Sequence, residues 1–270
     1  MRYGCWTGCE VAVSVSIMGI VNVTPDSFSD GGRYYEAKAA IAHGLDLVAE
    51  GADIIDVGGE STRPGALEVP EREELRRVIP VVEALSEAVR VSIDTRKAAV
   101  AQAAVRAGAT IVNDVTGWLG PVAGECGVAW VAMHSQGDPQ TMQIAPTYAD
   151  VVSEVAGYLE ERLTIASRYG VDEVYLDPGI GFGKTAEHNL QLLAKLDRIT
   201  SLGAPVLVGL SRKSFLATLS PFGAAGSPLE REDQTLGANI AAVMAGARVI
   251  RVHEVRPLRH FLDLIKAMGA

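Results

Sequence analysis

The sequence predicts an α/β protein built as a closed (β/α)8 barrel of the TIM type, and three observations carry that expectation. Apolar, β-branched runs alternate with helical periodicity, giving eight strands along the chain. Four helix-to-strand joins are glycines, Gly51, Gly108, Gly170 and Gly246, each placed where a helix ends and an apolar strand follows at once. The length of 270 residues is close to the roughly 250 typical of one such barrel, and no break in composition divides it. An open doubly wound sheet competes, since strand count alone does not exclude it. The expected layout is one domain over 1–270, with 1–13 as a short amino-terminal hairpin or extension capping the barrel.

Taken in order, the first strand occupies 11–21, where Val11, Val13, Val15, Ile17, Ile20 and Val21 make a buried β run ending in Asn22. Thr24-Pro25-Asp26 is a turn, and Ser27 to Gly32 is a polar, Gly-tipped loop around one aromatic, Phe28. Ile41, Leu45 and Val48 place a helix over 37–50, followed by a strand over 53–57. The same pattern predicts helix 70–89 before strand 91–94, and helix 98–107 before strand 110–113. A segment broken by Gly and Pro then precedes strand 128–133. Helix 151–169, strand 173–177, helix 187–200 and strand 205–209 follow. After a flexible stretch at 223–227, helix 235–245, strand 248–251 and helix 257–268 close the chain.

Composition narrows the function. A net charge of -9 argues against a nucleic-acid partner or an acidic membrane surface, while local Arg and Lys clusters leave anionic small molecules open. No apolar run approaches the roughly 18 residues that a membrane span needs. Cys5, Cys9 and Cys126 are an odd set without zinc-ligand spacing, and read as free thiols. No basic-plus-apolar leader opens the sequence, so the expected location is the cytoplasm and the sequon at Asn22 is incidental.

The chemistry is read from the carboxyl ends of the strands, where barrels of this kind carry their sites. These positions hold Asn22, Asp56, Asp94, Asn113, Met133-His134, Asp177, Gly209 with Lys213, and Arg251 with His253. A buried carboxylate is costly unless paired, and one alone would be a salt bridge or loop cap. Seven of eight strands ending in polar groups make a ligand site instead. Carboxylates and amides suit a planar heterocycle rich in N–H groups, with Asp177 able to accept a two-pronged hydrogen bond. Arg63, Arg251 and His253, with Asn22, suit a phosphate or metal-phosphate tail.

Three loops add detail. Asp177-Pro178-Gly179-Ile180-Gly181-Phe182-Gly183-Lys184-Thr185 comes close to a P-loop, but Pro178 stands where the first Gly belongs. It fits better as a wall of the heterocycle pocket, with Phe182 as the apolar contact. Leu210 to Leu216 reads as the start of a helix whose amino terminus receives a carboxylate through Ser214 while Lys213 points into the mouth. Gly58-Gly59-Glu60-Ser61-Thr62-Arg63-Pro64-Gly65 reads as a lid over phosphate.

Together, Met18 to Gly32, Gly58 to Gly65, Ser92-Ile93-Asp94-Thr95, Asn113-Asp114-Val115, Asp177 to Lys184, Ser211 to Ser214 and Arg251-Val252-His253 resemble the dihydropteroate synthase family over nearly the whole chain. The resemblance implies condensation of a dihydropterin methyl diphosphate with p-aminobenzoate, releasing dihydropteroate and magnesium-bound diphosphate. It implies that Asp94, Asn113, Asp177 and Lys213 hold the pterin, with Met133, Phe182 and Gly209 lining its pocket. Asn22 would ligate Mg2+, and Arg63, Arg251 and His253 would meet the diphosphate. Thr62 would touch substrate, and Phe28, Pro64 and Ser214 would form the aminobenzoate site where sulfonamides compete. Asp30 would stabilise a cationic pterin methylene, so Asp30, Lys213 and Asp94 are the expected catalytic set. Ser135 departs from the family, which often has Met there. Barrels of this type often dimerise through late helices, which makes a homodimer the expectation. The rival is a methyltetrahydrofolate-type methyltransferase on the same barrel, which would not need the Ser27 to Gly32 loop or the Ser211 to Ser214 segment.

Overall fold

The computed structural model describes residues 15–24, 33–61, 66–137, 141–218 and 231–268. Eight parallel strands run in the order β6-β5-β4-β3-β2-β1-β8-β7, each joined to the next in sequence through helix. The strands are β1 (Ser16–Asn22), β2 (Ile54–Gly58), β3 (Arg90–Asp94), β4 (Ile111–Asp114), β5 (Ala129–Met133), β6 (Val174–Asp177), β7 (Leu207–Gly209) and β8 (Val249–Val252). A single bridge from Leu176 to Val206, with Leu176 N donating to Pro205 O at 2.9 Å, joins β6 to β7 and closes the ring. The barrel is therefore closed, and the doubly wound alternative is set aside.

The helices on the outside are α1 (Arg33–Ala49), α2 (Glu71–Ser86), α3 (Ala98–Arg106), α4 (Gly120–Cys126) and α5 (Val151–Arg168). They continue as α6 (Ala186–Ala194), α7 (Asp197–Thr200), α8 (Ser214–Ala217), α9 (Glu232–Met244) and α10 (Arg256–Ala267). The four glycine joins all take positive φ, at 102°, 113°, 68° and 99° for Gly51, Gly108, Gly170 and Gly246, a region that an L side chain enters only under strain. Strand residues pointing outward, among them Val21, Ile55, Val57, Ile93, Trp130, Leu176 and Ile250, pack with the helices into one large apolar core.

Three local expectations change. The Gly- and Pro-broken segment forms the short helix α4, whose carboxyl cap is Gly127 at φ 65°. The single helix expected over 187–200 is two, α6 and α7, parted at Lys195 and Leu196. Strand β7 is shorter than the expected 205–209: Pro205 has no N–H to donate, and Val206 pairs with Leu176 as an isolated bridge while its carbonyl accepts from Arg248 N at 2.8 Å. The amino-terminal part of the first strand, the extension at 1–13 and the stretch at 223–227 lie outside the described residues.

Candidate active site

The inside of the barrel is layered by the two-residue period of its strands. Met18, Ile54, Ile111, Ala129, Val131, Tyr175, Leu207 and Val249 form an apolar cluster separate from the outer core. Two residues further along most of these strands, on the same face, stand Asp56, Asn113, Met133, Asp177, Gly209 and Arg251, while β1 reaches Asn22 two residues beyond Ile20. The register sets these side by side: Asn22 opposite Gly58, Gly58 opposite Asp94, Asp94 opposite Asn113, Met133 opposite Asp177, and Gly209 opposite Arg251. The expected strand-end residues thus share one mouth above an apolar plug.

The floor of the mouth is one buried charge network. Arg251 Nε donates to Asp56 Oδ2 at 2.7 Å, and its NH2 group donates to Asp94 Oδ2 at 2.8 Å. Asn113 Nδ2 also donates to Asp56 Oδ2, at 2.9 Å. Asp56, 195 residues from Arg251, is wholly buried, and the reading of strand ends had given it no role of its own. Burial pushes the Asp94 carboxyl up to about 7, with the Arg251 guanidinium opposing and the Asp56 carboxylate adding to the rise. The second oxygens of both carboxylates, Asp56 Oδ1 and Asp94 Oδ1, are buried and accept no hydrogen bond among the described residues.

The far wall follows β6. Asp177 Oδ1 accepts from Gly179 N at 2.7 Å, and burial raises the Asp177 carboxyl above its ordinary value. Phe182 lies with its ring face 4.0 Å below the Lys213 ammonium, a cation–π contact. Lys184, by contrast, is only 3 % exposed. Its Nζ meets His134 Nδ1 at 2.9 Å, Gly179 O and Phe182 O at 3.0 Å each, and His134 O at 3.4 Å. Lys184 therefore closes the glycine-rich turn on itself, and the mismatch at Pro178 does reject a P-loop. The turn is pressed against the end of β5 so closely that a Cβ at Gly179 would stand 1.7 Å from His134 O.

At the rim, His253 Nδ1 lies 2.9 Å from Ser211 Oγ. Helix α8 is only one turn long and its N-cap is Lys213, which makes no side-chain cap. The helix terminus expected to receive a carboxylate is thus a single turn, with Ser214 exposed at its start. The roots of the second loop are held from beside Asp94. Glu60 accepts from Val69 N at 2.9 Å, from Arg96 Nε at 2.8 Å and from Lys97, and Lys97 also bonds the buried Glu74 at 2.6 Å. Sequence reasoning missed this cluster, because nothing in the motif ties Glu60 to residues some 36 positions away. Phe28, Asp30, Thr62, Arg63 and Pro64 lie outside the described residues.

No group of three His, Cys, Asp or Glu side chains that could cage a metal occurs among the described residues. Among the described residues, the mouth offers a divalent cation the amide oxygen of Asn22 at the end of β1, near the Asp94 carboxylate. That fits a magnesium ion that keeps water and phosphate oxygens as its other ligands, as Mg2+ usually does. No described helix is long and apolar enough to cross a membrane.

The chain is similar to known proteins over nearly its whole length. Residues 18–253 match the family model described as pterin binding enzyme. The dihydropteroate synthase of Mycobacterium leprae is 46% identical over 267 residues, covering 95% of this chain and 93% of that protein. The Xanthomonas albilineans dihydropteroate synthase solved with 4-aminobenzoic acid superposes with a TM-score of 0.88 at 46% identity, covering 95% of this chain and 94% of that one. The same enzyme in complex with 7,8-dihydropteroate superposes with a TM-score of 0.85 at 43% identity, with the same coverage of 95% and 94%.

Proposed function

We propose residue roles for a chain that belongs to the dihydropteroate synthase family of pterin binding enzymes. The chain is a transferase of folate biosynthesis. It joins 6-hydroxymethyl-7,8-dihydropterin diphosphate to p-aminobenzoate, giving 7,8-dihydropteroate and diphosphate. Relatives that are synthases, one of them solved with 4-aminobenzoic acid, favour this over the methyltransferase reading.

The observation that carries the assignment of roles is the pair of buried carboxylate oxygens, Asp56 Oδ1 and Asp94 Oδ1, left without donors. A buried acceptor in that state costs about 1–3 kcal/mol, and a pterin edge rich in N–H groups repays it. Asp94, Asn113, Asp177 and Lys213 hold the pterin, while Met133 and Phe182 supply apolar walls. Gly209 lines the pocket beside Arg251, where an added Cβ would make an ordinary contact at 3.8 Å. Arg251 has two donors committed to the floor and its side chain 21% exposed toward the mouth, so it also reaches the diphosphate, joined by Arg63 and His253. Thr62 touches substrate, and Phe28, Pro64 and Ser214 form the p-aminobenzoate site, where sulfonamides compete.

The chemistry asks little of a base, because an arylamine is neutral at pH 7 and its lone pair is free. The bond from the pterin methylene carbon to the diphosphate oxygen breaks, with the electron pair leaving on oxygen. The amine nitrogen then forms the new C–N bond and releases one proton. Asp30 and the ring electrons stabilise the cationic methylene between these events. Catalysis rests on alignment of the partners and on cations beside the leaving oxygens. Asn22 would hold Mg2+ together with the diphosphate, and the ion supplies positive charge to the leaving group.

A homodimer is supported by apolar side chains exposed on late helices, Met244 on α9 and Leu264 on α10, and light scattering tests it. A cytoplasmic location is part of the same reading, and cell fractionation tests it. The decisive experiment mixes the protein with the dihydropterin diphosphate, p-aminobenzoate and magnesium. Dihydropteroate and free diphosphate are expected in equal amounts, and absence of both would overturn the reading.

A further inference from the structure

The turn between β7 and α8 contains a conformation its sequence does not favour. Arg212 sits at φ 62°, one of two non-glycine residues with positive φ among the described residues. Lys213 N donates back to Leu210 O at 3.2 Å, so Arg212 occupies the third position of a tight turn, where a left-handed residue is normally Gly or Asn. Such a conformation persists in a side-chain-bearing residue only when its surroundings over-determine it.

Those surroundings are specific. Arg212 Nε donates to Glu232 Oε1 on α9 at 2.5 Å, and its NH2 group donates to Glu254 Oε1, just beyond β8, at 2.8 Å. The backbone of the same residue is gripped on both sides: its N–H donates to the buried Thr235 Oγ1 at 3.1 Å, and its carbonyl accepts from Arg231 NH1 at 3.1 Å. The residues flanking it are the ones that face the mouth. Ser211 Oγ meets His253, and Lys213 carries its ammonium to 4.0 Å from the Phe182 ring. A glycine would adopt this turn without strain but could not reach either glutamate.

We propose that Arg212 is a positioning residue: its grip on Glu232 and Glu254 holds a left-handed turn that aims Lys213 and Ser214 at the bound substrates. The inference rests on the synthase reading, so wild-type turnover is measured first. A wild type that forms no dihydropteroate defeats that reading, whereas a working wild type isolates the question of Arg212.

The test compares Arg212→Lys, Arg212→Gly and Arg212→Ala by kcat, KM for each substrate, pterin affinity and melting temperature. Loss of the grip lowers kcat/KM for both. Ala also carries the left-handed penalty that Gly escapes, worth about another tenfold. The expected order is wild type, then Lys, which keeps a cation near the glutamates, then Gly, then Ala. A purely structural role would lower the melting temperature and leave kcat/KM per folded molecule unchanged, and that result overturns the proposal. So do Gly and Ala variants within twofold of wild type. Should the Arg212 variants fail to fold, the double variant Glu232→Gln with Glu254→Gln carries the test, because it removes the charges and leaves the turn's backbone bonds in place. It is expected to lower kcat/KM, and wild-type values in it would equally refute the inference.

Discussion

Lys184, in the turn after β6, and Lys213, in the turn after β7, face the same wall of the barrel from opposite situations. The Lys184 ammonium has three donors, and four protein acceptors stand within 3.4 Å of it, so the protein itself saturates it. Lys213 lies on the face of Phe182 in the field of the Asp94 and Asp177 carboxylates. One lysine ties a loop shut, and the other lies on an aromatic face among the carboxylates of the mouth. The lesson is that a lysine in a conspicuous motif is assigned by the groups its ammonium meets. Both motifs look equally functional when read as text.

The sharpest way to break this comparison is to remove each ammonium while keeping the hydrocarbon. Lys213→Met is expected to lower turnover by about a hundredfold or more, with an unchanged melting temperature, because charge opposite a substrate is lost and little packing is. Steady-state kinetics alongside thermal melts would check it, and near-normal product formation would remove Lys213 from the site. Lys184→Met is expected to do the reverse. It strands buried carbonyls at a cost of about 2–4 kcal/mol in stability, read by denaturant unfolding, while the folded fraction still turns over within about tenfold. If the two phenotypes were exchanged, the distinction between the turns would collapse.

A smaller effect belongs to the wall between them. Asp177→Asn should weaken pterin affinity by about 1.5–3 kcal/mol, as expected for a hydrogen bond to a charged group, and calorimetric titration reads it directly.

The smallest effect is a pair of opposed pH dependences. Burial raises Asp94 to about 7, so the folded state holds a proton that the unfolded state gives up. Stability from this group is present below about pH 4 and is lost as pH rises through 7. Burial lowers Lys184 to about 7, so its contribution is full above about pH 10.5 and is lost as pH falls through 7. His134, pushed down to about 3 by burial, gains stability with rising pH over the acid window and masks part of the Asp94 effect. Differences from wild type therefore isolate each group: Asp94→Asn should remove the falling slope between pH 4 and 7, and Lys184→Met the rising slope above 7. Parallel melting curves across pH for wild type and both variants would contradict these assignments.

Much of the fold was legible because each βα unit repeats a local rule. An apolar strand, a polar end, an amphipathic helix and a glycine are all readable within about 35 residues. The mouth was legible for the same reason, since closing a barrel brings every strand end to one rim. What sequence could not supply is partnership across distance. Asp56 and Arg251 are 195 residues apart, and nothing local pairs them. The parting of α6 from α7 at Lys195 and Leu196 carries no Gly or Pro to announce it. Arg212 is illegible in a stronger sense, because its left-handed backbone runs against what an arginine prefers and exists only through neighbours on α9 and beyond β8.

The hydrocarbon layer formed by Met18, Ile54, Val131, Tyr175, Leu207 and their neighbours closes the bottom of the mouth among the described residues. Whatever lies deepest has to go in first and come out last. On the proposed residue roles, a pterin at the bottom would receive the arylamine on top of it, and spent product would block the next pterin until it departed. The kinetic signature is product inhibition by dihydropteroate that is competitive against the pterin diphosphate.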